Sequence, residues 1–185
     1  MRLSHILGAF LLPVGLALAD SEIPNSPIVA SGDDGSCYAK SVPASIDGSK
    51  GFTRVYRVKA GEDELVTEYP WYALRLRLAC VDSNPVLIRI GPWPRGVGPS
   101  DEDLGIAFYR GGRMIRSHST LDIAGNPPKF TSSASHYNVL SYEFRFETDP
   151  SGWAYYFVAG LAQGGEVAFD AFSGHMVRSS SVNGT

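Results

Sequence analysis

Three histidines and one aspartate are the groups of this chain best suited to acid–base or metal chemistry. His118, Asp122 and His136 combine imidazole and carboxylate, a donor set that holds zinc or copper. The same three could supply the acid–base pair of a hydrolase or lyase acting on extracellular or envelope polymers. His175 stands apart. The spacing fits no established ligand frame, and histidines scattered through turns and strand ends are common. Asp101-Glu102-Asp103 could begin a calcium loop, but the rest of an Asp-x-Asp-x-Asp-Gly frame is missing, so an acidic turn in water is the better reading. No Gly-x-Ser-x-Gly elbow, His-Glu-x-x-His pair, Walker loop or dinucleotide fingerprint is present. Gly96-Val97-Gly98 lacks the third glycine. Triads assembled from distant strands leave no such local trace.

Binding chemistry is better represented. In Gly91-Pro92-Trp93-Pro94-Arg95-Gly96 two prolines fix φ on either side of Trp93, which makes a stiff, extended loop. A rigid loop carrying an aromatic and an arginine loses little entropy on binding, and both residue types are favoured anchors. Tyr69-Pro70-Trp71-Tyr72 is a second proline–aromatic corner. Together Trp71, Trp93 and Arg95 are the candidate site for a glycan or protein partner. Against this stands the ordinary use of loop tryptophans to cap a core. Arg54, Arg57, Arg75, Arg77 and Arg89 could form a basic stripe, but pairing across strands with Glu64, Glu68, Glu143 and Glu147 is the expected arrangement.

The N-terminal 19 residues read as an export signal: Arg2 and His5, an apolar run from Ile6 to Leu18, then Ala17-Leu18-Ala19 before Asp20. The run is too short, and too broken by Pro13, to span a membrane. Export to the periplasm or beyond is therefore expected. Removing 19 of the 185 residues leaves about 166, one ordinary domain that needs no metal staple. A formal charge of −3 for the whole chain argues against a nucleic-acid binder. No cofactor is expected. In an oxidising compartment Cys37 and Cys80 are expected to pair; a loop of about 44 residues would then be closed, worth about 4 kcal/mol in the chain-entropy model. A buried Cys80 thiol is the alternative. A catalytic cysteine is disfavoured, since no histidine lies near either one in sequence.

Period-two alternation must position these groups. Leu74, Leu76, Leu78 and Cys80 share one face, with Arg75 and Arg77 on the other. Leu140, Tyr142, Phe144 and Phe146 alternate with Ser141, Glu143, Arg145 and Glu147. Weaker strand patterns cover Thr53–Val58, Leu65–Tyr69, Val86–Ile90, Leu104–Arg110, Met114–Ser119, Trp153–Ala159 and Glu166–Asp170. Gly111-Gly112 is the strongest hairpin signal. No window has helical periodicity. About nine strands predict an all-β fold over 36–178, a single antiparallel β-sandwich or barrel, with a small propeller-like meander as the alternative. Residues 20–35 are expected to be a flexible lead-in and 179–185 a disordered tail.

Three stretches, Cys37-Tyr38-Ala39-Lys40-Ser41-Val42-Pro43, Gly91-Pro92-Trp93-Pro94-Arg95-Gly96 and Ser117-His118-Ser119-Thr120-Leu121-Asp122-Ile123-Ala124-Gly125, resemble a family of uncharacterised exported bacterial proteins. The resemblance covers most of Cys37 to Gly174. It implies a bacterial, exported chain and brings no activity, cofactor or catalytic residue with it. The sequon at Asn183-Gly184-Thr185 carries no weight at the terminus of such a chain. The function expected is a non-enzymatic binding or interaction module.

Overall fold

The nine alternating segments all form strands, and five further strands join them. A computed structural model describes residues 24–46, 48 and 50–180. The expected export signal and the sequon lie outside the described residues. The first sheet holds β1 (Ile28–Ser31), β2 (Cys37–Pro43), β3 (Gly51–Arg57) and β4 (Glu64–Tyr69) in that order. The middle sheet holds β5 (Arg75–Ala79), β6 (Val86–Ile90), β7 (Leu104–Arg110) and β8 (Arg113–Ser119). A short helix α1 (Thr120–Ala124) and a small hairpin, β9 (Thr131–Ser132) with β10 (Tyr137–Asn138), follow. The third sheet holds β11 (Leu140–Thr148), β12 (Tyr155–Leu161), β13 (Glu166–Asp170) and β14 (Met176–Ser180). Each four-stranded sheet is an antiparallel meander, and none closes on itself, so the barrel is excluded.

Alternation assigns the layers. In β6, Val86, Ile88 and Ile90 enter the core shared with the third sheet, while Leu87 enters the core shared with the first. In β7, Ile106 and Phe108 point one way and Ala107 and Tyr109 the other. The two central strands of the middle sheet, β6 and β7, are therefore buried on both faces. That explains why β6 and β7 read as near-continuous apolar runs, whereas β5 alternates. Phe108 sets the third-sheet core, lying edge-on to Phe157 at 6.1 Å and tilted against Phe169 at 5.4 Å. Aromatic pairs in such geometry add about 0.5–1.5 kcal/mol beyond the area they bury.

The first and middle sheets are stapled covalently. Cys37 opens β2, Cys80 follows β5, and the two form a disulfide with Cα atoms 5.7 Å apart. Gly32 passes directly over the bridge: a Cβ there would lie 2.0 Å from Cys80 Sγ, so no other residue fits without displacing it. Gly111-Gly112 makes the two-residue hairpin between β7 and β8, with φ of 55° and 78°.

Three elements depart from the sequence expectations. Ile28–Ser31 lies within the expected lead-in but forms β1, because its main chain pairs with β2 and its weak apolar pattern did not need to carry it. Met176–Ser180 likewise reaches into the expected tail as β14, paired with β13. Helix α1 is too short for helical periodicity to show. Its start is encoded instead by a capping box, in which Ser119 Oγ accepts from the Asp122 N–H and the Asp122 carboxylate accepts from the Ser119 N–H.

Candidate functional site

A cavity of ligand dimensions opens where β5 begins and β6 ends. Its volume is about 610 Å³, within the roughly 300–1,000 Å³ of small-molecule sites. One wall is Tyr72, Ala73 and Leu74, the segment leading into β5, followed by Arg75. Arg89 and Ile90 from β6 continue it, and Pro92 and Trp93 form the rim beyond. Asn138 of β10, Tyr142 of β11, Asn25 and Gly48 complete the lining, with Asn25 Nδ2 donating to the Gly48 carbonyl at 2.6 Å. Among the described residues, no carboxylate, histidine, cysteine or lysine lines this cleft.

Main-chain bonding holds the Trp93 loop in place. Gly91 N–H donates to Gly105 at 2.8 Å, and a Cβ on Gly91 would stand 1.7 Å from the Leu104 carbonyl oxygen. Only glycine permits that approach. Farther on, the Tyr137 N–H donates to Pro94 at 3.1 Å and the Gly96 N–H to Ser135 at 3.0 Å, which brackets an isolated bridge between Arg95 and His136. The indole of Trp93 stacks on the buried His136 ring, centroids 4.3 Å apart. Tyr137 is the bolt behind this wall. Its hydroxyl donates to the Asp103 carboxylate and lies 2.8 Å from Thr120 Oγ1. Burial, reinforced by that bond to Asp103, pushes the Tyr137 phenol up to about 12.

Among the described residues, neither arginine of the cleft has a carboxylate partner. Arg75 donates to the Gly91 carbonyl at 2.8 Å and has the Tyr142 ring 5.7 Å away. Burial, with Arg77 nearby, holds its guanidinium below the ordinary value. Arg89 lies 4.6 Å over Trp71 and donates to the Tyr72 carbonyl at 3.3 Å. The register pairs Arg75 with Ile90 and Leu76 with Arg89, so the two guanidinium groups leave opposite faces of the middle sheet. Among the described residues, the buried side-chain N–H groups without an acceptor, Arg89 Nε and Trp93 Nε1, both belong to cleft residues. Such orphans cost about 1–3 kcal/mol each.

The candidate residues of the sequence are distributed as follows. Trp93 lines the cleft. Trp71 does not; it packs into the core between the first and middle sheets, 5.1 Å from Tyr69 and 4.9 Å from Tyr109. Arg95 is exposed on the loop beyond Trp93, outside the lining. No family model matches this chain, and no curated protein or solved structure matches it significantly. Its site is therefore described by its own geometry. No helix among the described residues is long and apolar enough to cross a membrane.

His118, Asp122 and His136 do not assemble. His118 Nε2 bonds the Gly174 carbonyl at 2.7 Å, Asp122 is spent on the helix cap, and His136 Nδ1 lies 2.8 Å from Ser135 Oγ. Among the described residues no three histidine, cysteine, aspartate or glutamate side chains could hold a metal. Asp103 of the acidic triplet turns to Tyr137, which removes it from any calcium frame.

The basic stripe divides. Arg54 pairs with Glu68, but Arg77 lies over Phe144 at 5.2 Å, because β5 faces the third sheet rather than water. Tyr142 also breaks its expected alternation. A register shift between Leu140 and Phe144 leaves it 77% exposed at the cleft mouth. Tyr72, of the second proline–aromatic corner, does line the cleft; Tyr142 and Asn138 carry no sequence signal for a site, and Arg75 and Arg89 leave the expected solvated face to join it.

Proposed function

We propose that this chain is an exported, non-enzymatic binding module whose ligand site is the cleft at the start of β5. One observation carries the reading: a cleft of about 610 Å³ lined by Tyr72, Trp93 and Tyr142 together with Arg75 and Arg89. Ligand sites are concave, mostly apolar and aromatic, and punctuated by a few polar groups. Acid–base catalysis needs a convergent pair of titrating groups near neutral pH. The lining offers tyrosine, asparagine and arginine instead, a set suited to holding a ligand. Export is supported by the N-terminal signal pattern and agrees with the Cys37–Cys80 disulfide. Membership of the exported bacterial family that the sequence resembles is part of this proposal.

The test is a fragment titration read at the three tryptophan indole N–H resonances. Anionic, neutral and cationic ring fragments that bind are expected to move the Trp93 signal. Leu74 is 38% exposed on the cleft wall, so Leu74→Trp should fill the cleft and abolish binding while the melting temperature holds. Fragments that bind L74W as well as the native protein, or that move only Trp153, would overturn the reading.

A further inference from the structure

We infer that the cleft takes an acidic saccharide, its carboxylates received by Arg75 and Arg89 and its rings by the Trp93 and Tyr142 side chains. The inference rests on the cleft being the ligand site. Charge complementarity carries it. Arg54 pairs with Glu68, Lys59 with Glu64, Arg110 with Asp82, and Arg145 with Glu147 and Glu166, whereas the described lining of the cleft gathers two arginines and no carboxylate. Among the described residues, Arg75 and Arg89 meet carbonyls and aromatic faces rather than carboxylates, in a chain whose formal net charge is −3. A half-buried guanidinium without a counterion is a standing cost to the fold, relieved when an anion arrives. Guanidinium forks match carboxylate oxygens two to two, which lysine cannot reproduce.

The geometry also bears on ligand shape. Arg75 and Arg89 reach the cleft from opposite faces of one sheet, so a ligand meeting both carries negative charge at more than one place. Aromatic rings present flat, electron-rich faces suited to the C–H surface of a sugar ring. An acidic peptide is the rival. Extended peptides usually bind by adding a strand to a free edge, where main-chain groups give the affinity. Here the only β5 residue in the lining is Arg75, so the cleft crosses the end of the strand and offers side chains rather than an edge. That favours the saccharide.

An array of length-matched neutral and uronate-containing oligosaccharides, with hexaglutamate as a peptide control, tests the inference on the disulfide-intact protein. Binding confined to the uronate members is expected, weakening as salt rises. Arg75→Gln and Arg89→Gln should each lower affinity about tenfold or more, the effect of losing a charged hydrogen bond. Arg75→Lys guards against a folding defect. It keeps the charge, so it should retain the preference for acidic members at reduced affinity. Equal binding of neutral and acidic members, unaffected by R75Q, would overturn the charge assignment and leave the cleft as a ligand site. Hexaglutamate binding that R75Q abolishes, with no saccharide bound, would replace the saccharide by an acidic peptide. Silence across the array and the peptide overturns this inference. Whether the cleft reading falls with it is decided separately by the indole titration.

Discussion

At the junction of the first and middle sheets, Trp71 is enclosed by Tyr69, Tyr109 and the Arg89 guanidinium, whereas at the cleft rim Trp93 rests on His136 with its indole N–H unsatisfied. Both residues follow a proline in a loop beside the middle sheet. They differ in what lies opposite. β4 and β7 present tyrosines to Trp71, and the gap closes as core. Trp93 shares the lining of its cleft with Asn138, the exposed Tyr142 and Arg75, whose guanidinium donates to the Gly91 carbonyl, and a gap of ligand size remains. The same residue type thus closes a core in one place and borders an open cleft in the other. What decides is the complementarity of the facing side chains.

The comparison can be broken at several points. The largest effect belongs to the staple that holds the Trp71 side together. Replacing Cys37 and Cys80 by serine should cost about 4 kcal/mol, seen as a lower urea midpoint under non-reducing conditions. Trp71→Ala should follow, at about 3 kcal/mol, the low end for a buried tryptophan because Trp71 is only partly enclosed. A loss under about 1 kcal/mol would mean that Trp71 is no more part of the core than Trp93.

Tyr137→Phe should cost about 2 kcal/mol, since it removes a hydrogen bond to a carboxylate. The same variant has a pH signature. The native phenol is raised to about 12 from an ordinary 10. Its contribution is therefore complete below pH 10 and is lost as pH rises from 10 to 12. Melting temperature should fall more steeply over that window in the native protein than in Y137F. Ultraviolet titration of the native protein against Y137F should show that the tyrosine lost is among the last to ionise. The smallest effect on stability is expected from Trp93→Phe, under about 1 kcal/mol, because the ring stack on His136 survives and an orphan donor disappears. Binding, by contrast, should drop.

Part of the fold was legible because some strands carry their own alternation: 74–80 and 140–147 announced β5 and β11 without help. β1, β2 and β14 were not, since their evidence is pairing with a neighbour rather than a pattern of their own. Trp93 was legible at the site because two flanking prolines stiffen its loop. The rest depended on three-dimensional facts. Arg75 alternates with leucines just as a solvated residue would, and only the third sheet lying over β5 turns it into a cleft wall. Tyr142 is exposed by a register shift that no local sequence rule marks.

The most direct test of the central claim is the position of the three indole N–H resonances while a uronate oligosaccharide is added. The account predicts that the Trp93 signal moves and saturates, while those of Trp71, in the core, and Trp153, 92% exposed on the β11–β12 turn, stay in place. Movement of Trp71 or Trp153 with Trp93 unchanged would contradict it.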